Sequence, residues 1–252
     1  MRLKCSDYFD HRLQAPYTID PMLKKSKFWE PTETLPTKIP TLMGVLDQSH
    51  QILMPFVKTS IRIWDPLHKP LMEALLEADP AERWCIVVHR ELCSKEGFAE
   101  EPEGAVLVRV ERIERCEHDG YDLELDCLER IVVGTRNNDV AYERSEVQSF
   151  PKEASLGGDI SARLDQLVQA AFQLAQGAHQ AHVQLGALLD GLPHRRALLY
   201  RMAALLIQNP GERLDFLLEP STSHQIDIVS IFMARALQVM GRRRDRNLAV
   251  GP

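Results

Sequence analysis

Nowhere in its 252 residues does this chain carry a run of about 18 apolar residues, so no segment reads as membrane-spanning. Met1-Arg2-Leu3-Lys4-Cys5-Ser6-Asp7 lacks the apolar stretch of a secretory signal, and the expected address is cytoplasmic. There is no G-x-x-x-x-G-K-[ST] to cradle phosphates, no G-x-G-x-x-G after a strand pattern and no G-x-S-x-G elbow. No serine stands in the small-residue, lysine-partnered context of a Ser-Lys peptidase. The five cysteines, Cys5, Cys85, Cys93, Cys116 and Cys127, form no C-x-x-C pair and flank no histidines at metal spacing. Cys85 and Cys127 lie in apolar strand patterns and read as small core residues. The other three lie in polar or loop sequence as free thiols without an activating neighbour. A basic excess is also lacking: the net charge is −6 and the pI near 5.9, which disfavours nucleic acid as a partner. These absences predict no enzyme, no cofactor and no metal centre.

What is present suits an ordinary globular protein of one or two domains, with 44% hydrophobic and 26% charged residues. Residues 1–35 hold Pro16, Pro21 and Pro31 without sustained periodicity and read as an N-terminal extension, draped over the body through Phe28 and Trp29 or left unordered. From 36 to 153 strand signals dominate. Val106, Val108 and Val110 alternate with Leu107, Arg109 and Glu111, the period of a strand with one buried face. Leu123, Leu125 and Cys127 alternate with Asp122, Glu124 and Asp126 beyond Asp119-Gly120. The spacing predicts a hairpin whose turn uses the positive φ that Gly120 tolerates. Further strands are expected at 60–64, 83–89, 128–133 and 140–148. Leu71, Leu75, Leu76 and Ala78 predict one helix between Pro70 and Pro80.

Glu91–Glu103 holds five glutamates against one lysine and reads as an exposed acidic loop, with a docking site for a basic partner as the alternative. After Gly157-Gly158, Asp159 is placed to cap a helix. Ile160, Leu164, Leu167, Ala171, Leu174, Ala178, Ala181, Leu185 and Leu188 form a heptad seam, ended by Gly191 and Pro193. The helix would exceed about 40 Å. Its stripe suits either a coiled-coil oligomer through 160–188 or the inside of a bundle; the helices that follow favour the bundle. These carry Leu198, Met202, Leu205 and Leu206, then Leu214, Leu217 and Leu218 behind the capping box Asn209-Pro210-Gly211-Glu212. A last helix, capped by Thr222 with Gln225, turns Ile226, Val229, Met233, Ala236, Leu237 and Met240 one way and stops at Gly241. The helical unit thus spans 156–241, and residues 242–252, with Arg242, Arg243, Arg244 and Arg246, form a basic tail.

Three constellations have chemical readings. His179 and His182 could share a metal, but glutamines surround them, so an exposed helix face is the simpler reading. Asp122, Glu124 and Asp126 could supply a carboxylate pair; a solvated strand face explains them better. Trp64 beside Asp65 reads as a core anchor of the second strand.

The ordered blocks resemble the N-terminal substrate-binding domain of Lon-type proteases. Ile52-Leu53-Met54-Pro55 stands where that family has V-L-F-P-G, and Ile61, Ile63, Trp64, Asp65 and Pro66 fill its second block. Gly104, Val106 and Val108 match its third. Asp119, Gly120, Leu123, Leu125, Glu129, Arg130 and Ile131 match its hairpin, and Tyr142, Ser145, Val147, Pro151 and Glu153 its close. Phe56 replaces the family's Gly after Pro, and Leu67-His68 its Arg-Tyr. The resemblance covers about 36–240. It implies an α+β fold: a PUA-like β-barrel or curved sheet with one helix, then an α-helical bundle containing one long helix. It also implies a stand-alone, non-catalytic module, without motor or peptidase, that binds unfolded polypeptide or partner proteins, such as an adaptor in protein quality control. Nucleic-acid binding and an oligomerising structural role are the alternatives. Met54 and Phe56, on a predicted loop, are the candidate peptide contacts; core packing accounts for both equally well.

Overall fold

A computed structural model describes residues 42–47, 51–89, 104–150, 158–176 and 195–249. The chain order is β1 (Leu42–Asp47), β2 (Lys58–Ile63), α1 (Lys69–Glu77), β3 (Trp84–Val88), β4 (Ala105–Arg115), β5 (Tyr121–Asn137) and β6 (Arg144–Ser149). The described helices that follow are α2 (Gly158–Gln176), α3 (Arg195–Leu206), α4 (Pro210–Leu218) and α5 (Thr222–Ala249). The architecture is α+β, with a six-stranded sheet ordered β2-β5-β4-β3-β1-β6 before a helical region.

The sheet curls because β5 is 17 residues long and changes partner along one edge. Its first half pairs with β2 (Ile63↔Tyr121 to Lys58↔Asp126) and its second half with β6 (Ile131↔Ser149 to Asn137↔Arg144). Bulges in the β4–β5 and β5–β6 ladders supply the bend. Among the described residues only β1 and β3 run parallel, joined by a crossover that carries α1. The segments expected separately at 121–127 and 128–133 are therefore one continuous strand. β1 was not foreseen; Gly44 interrupts its apolar run, and a Cβ there would lie 2.3 Å from Leu71 of α1.

One apolar core runs from the sheet into the bundle. It includes Ile61, Ile63, Val106, Val108, Leu123 and Leu125 together with Leu164, Leu199, Phe216, Leu217 and Val229. A second cluster, with Met43, Val45, Ile86, Val88 and Leu107, packs on the opposite sheet face. The expectation of one buried face on β4 thus fails at Leu107, which is fully buried; alternation holds only further along, at Arg109 and Glu111.

Helix termini follow their capping chemistry with three corrections. Asn209 Oδ1 accepts from Glu212 N–H at 3.2 Å, with Pro210 in the first turn, as expected. Asp159 lies inside the first turn of α2, where it complements the helix dipole instead of capping. Ser221, not Thr222, receives the His224 N–H, while Thr222 and Gln225 are buried. α5 runs through Gly241 to Ala249: one glycine costs about 1 kcal/mol, and the arginines after it favour helix. The bundle stripe is as expected at Leu164, Leu167, Ala171, Leu198, Met202, Ile226, Val229 and Met233, all buried. Leu205 departs from it at 55% exposure, whereas Leu199 and Tyr200, off the expected stripe, are buried. Residues 178–188 of the heptad seam, His179, His182, the acidic Glu91–Glu103 loop and residues 1–35 lie outside the described residues. Among the described residues, no helix is long and apolar enough to cross a membrane.

Candidate functional site

Met54 and Phe56, the two predicted contacts, part company in the structure. Met54 is buried in the main core at 2% exposure. Phe56 occupies a tight turn with φ of 63°, in the left-handed region where a bulky side chain is uncommon. Glycine was the residue expected here from the resemblance, and it is the residue that adopts this backbone region without strain. The Phe56 N–H donates to Cys127 O at 2.6 Å, and its carbonyl accepts from Arg201 Nε at 2.8 Å. Its half-buried ring meets Tyr200 at 5.8 Å between centroids, and Tyr200 meets Phe216 edge-on at 5.6 Å. The turn is thereby tied to β5 and α3 together. Burial holds the Arg201 guanidinium below its ordinary value.

Arg130 makes a second tie. Buried to 7% exposure, it donates from Nη1 to the carbonyls of Leu217 and Glu219, both at 2.6 Å. Those carbonyls lie at the C-terminal end of α4, where helix oxygens lack intrahelical partners. The guanidinium stacks 3.4 Å from the Phe150 ring centroid. Gly104 sits at the same junction: a Cβ there would come within 2.6 Å of Leu214.

The outer face of β2, β5 and β4 is a lattice of ion pairs. Arg62 grips Asp122 at 2.5 and 2.8 Å, Lys58 reaches Glu111 at 2.9 Å, and Arg112 pairs with Glu114 and Glu124. Arg109 binds Asp126 and Glu111. A hydrogen bond and the nearby Arg62 charge hold the Asp122 carboxyl below its usual range, and Lys58 does the same for Glu111. Asp122, Glu124 and Asp126 are therefore salt-bridged surface groups, each facing its own cation, and not a coupled acid–base pair. An open depression of about 550 Å³ lies on this face. Glu73 of α1 accepts from Tyr121 Oη and pairs with Arg115. Those bonds lower the carboxyl's pKa and raise the phenol's.

Trp64 corrects another expectation. It is 52% exposed and no core anchor, because β2 ends at Ile63 and the inward positions belong to Ile61 and Ile63. Its ring covers Gly120, where a Cβ would fall 2.6 Å away, and Arg62 stands 5.4 Å from its centroid. Gly120 is thus needed for close approach: its φ is −88°, and Asp119 carries the positive φ of 60°. Asp65 accepts from Leu67 N–H at 2.9 Å and sets a short turn with Pro66 that leaves Leu67 78% exposed. The Asp-Pro-Leu sequence after a strand was the available signal for this projecting pair. Burial pushes the Cys85 and Cys127 thiols up to about 12, as inert core residues require. Among the described residues, no group of three or more His, Cys, Asp or Glu is placed to hold a metal ion.

Neither a family model nor a curated protein matches the chain. Solved structures do. The N-terminal domain of a Mycobacterium avium complex Lon protease superposes with a TM-score of 0.60 at 14% identity, over 77% of this chain and 98% of that one. A Lon N-terminal domain protein from Xanthomonas campestris aligns at 16% identity over 75% and 96%, with a TM-score of 0.43. The likeness is one of fold: the mixed α+β architecture, a six-stranded sheet followed by a helical region, has Lon N-terminal domains as its neighbours.

Proposed function

We propose that this protein is a non-catalytic polypeptide-binding module, built as the substrate-recognition domain of a Lon protease is built. The observation that carries this reading is the match to nearly the whole length of the mycobacterial Lon N-terminal domain. Sequence chemistry supports it, since the chain has no nucleotide loop, serine–lysine pair or serine elbow. Recognition of a polypeptide asks only for an apolar contact or a strand edge, and the chain offers both. In this role it captures exposed segments of unfolded or partner proteins and serves as an adaptor in protein quality control. Phe56 remains a contact candidate through the exposed part of its ring, whereas Met54 would have to leave the core first.

Incubation with a permanently unfolded protein, followed by size-exclusion chromatography and electrophoresis of the complex, tests the reading. Co-elution with the polypeptide intact is expected. Absence of a complex, or cleavage abolished by a single substitution in the chain, overturns it.

A further inference from the structure

β2 is a terminal strand of the sheet: it pairs with β5 residue by residue, and no strand pairs with its other side among the described residues. In an antiparallel pair, alternate residues turn their N–H and C=O groups away from the partner. No backbone or side-chain hydrogen bond reaches those outward groups of Lys58–Ile63 among the described residues. Such a row is a template for another extended main chain, and natural edges are commonly guarded by charge. Here the guards are all of one sign. Lys58 and Arg62, 69% and 53% exposed at their side chains, are the two charged residues of β2, with Ser60 between them. Their present partners lie inland on β4 and β5, and both side chains keep more than half of their surface in solvent despite those pairs.

We propose that the free edge of β2 is a strand-addition site for an extended acidic segment of another protein. The inference rests on the reading that this chain binds polypeptide and gives that reading a place and a ligand chemistry. Residues directly opposite each other across an added strand interact most strongly, and opposite charges stabilise. Lys58 and Arg62 are four positions apart on one face, so the segment carries carboxylates at i and i+4. At the Arg62 end, Trp64 and Leu67 stand exposed and take an apolar side chain of the same segment. The charge pattern also decides against a second copy of this chain. The symmetric antiparallel pairing of two β2 strands about Ser60 would set Lys58 against Arg62, cation against cation.

The test uses the full chain and fluorescein-labelled peptides with glutamates four apart and a leucine two positions beyond one of them, made in both chain directions. Hydrogen exchange is followed with and without peptide, beside a binding assay with an unfolded protein. Saturable, salt-sensitive binding that protects amides within 58–63 is expected. The Lys58→Glu/Arg62→Glu variant should lose at least about tenfold in affinity for the acidic peptide and gain affinity for its lysine counterpart. Trp64→Ala/Leu67→Ala, changed only at exposed positions, should weaken either peptide without reversing the preference. Protection elsewhere, or an unchanged preference in the charge-reversed variant, overturns the inference and leaves the reading standing. The same holds if the unfolded protein binds and neither peptide does. Protection of β2 by self-association without peptide overturns the acidic occupant. If neither peptide nor unfolded protein binds, inference and reading fall together.

Discussion

Replacing Arg130 with methionine should destabilise the whole chain, and the structure says by how much. Arg130→Met keeps most of the apolar stem packed against its neighbours and deletes two charge-assisted hydrogen bonds, to Leu217 O and Glu219 O. Such bonds contribute about 1.5–3 kcal/mol each, and carbonyls left buried without a donor cost a similar amount. The stacking over Phe150 adds about 1 kcal/mol. Against this, methionine avoids the several kcal/mol needed to desolvate a guanidinium. The balance is a loss of about 3 kcal/mol, or about 6–12 °C in Tm for a chain of this size. Guanidinium denaturation followed by circular dichroism measures it. Because one core runs from the sheet into the bundle, wild type and variant should each unfold in a single transition with similar m-values. A change below about 0.5 kcal/mol would refute the reasoning, since surface substitutions commonly fall within that range.

Four further outcomes follow from other parts of the molecule. Alanine normally exceeds glycine by about 0.4–1 kcal/mol through the unfolded state; at position 56, held at φ 63°, Phe56→Gly should equal or exceed Phe56→Ala in stability, and a clear advantage for alanine would contradict the left-handed turn. Glu73 has a folded pKa below its unfolded one, through Tyr121 and Arg115, so its contribution is complete above about pH 4.3 and lost as pH falls through the depressed value. Glu73→Gln should therefore flatten the acid limb of a Tm–pH profile, and an unaltered limb would remove that linkage. Cys85 and Cys127, with thiols pushed up to about 12, should resist alkylation at pH 8 in the native chain and react in denaturant, as peptide mapping would show. Asn209→Ala removes the cap of α4 and should cost about 1 kcal/mol in chemical denaturation.

Much of the fold was legible because its signals are local. The alternation in 121–127, the helix between Pro70 and Pro80 and the Asn209 cap all depend on residues within one or two turns of each other. What escaped depends on contacts distant in sequence. β1 needed the packing of Leu71 over Gly44, and the fusion of two expected strands into β5 needed its change of partner from β2 to β6. Leu107 reads as outward by alternation, yet the opposite sheet face is buried as well. Glycine at 120 was expected for its backbone freedom; its role is to admit the Trp64 ring. The same distance in sequence explains the site. Met54 and Phe56 look alike as apolar loop residues, but Met54 falls into the main core while Phe56 stays half exposed against Tyr200 of α3. The edge of β2 is invisible in its own six residues, because an edge is defined by the strand that is not beside it.

The central claim is preferential recognition of unfolded polypeptide, and fluorescence anisotropy tests it most directly when one labelled protein is titrated in its native form and in a permanently unfolded form. The account predicts saturable binding of the unfolded form at least about tenfold tighter than of the native form, with the label still on an intact chain afterwards. Equal affinity for the two forms, or no binding of either, would contradict it.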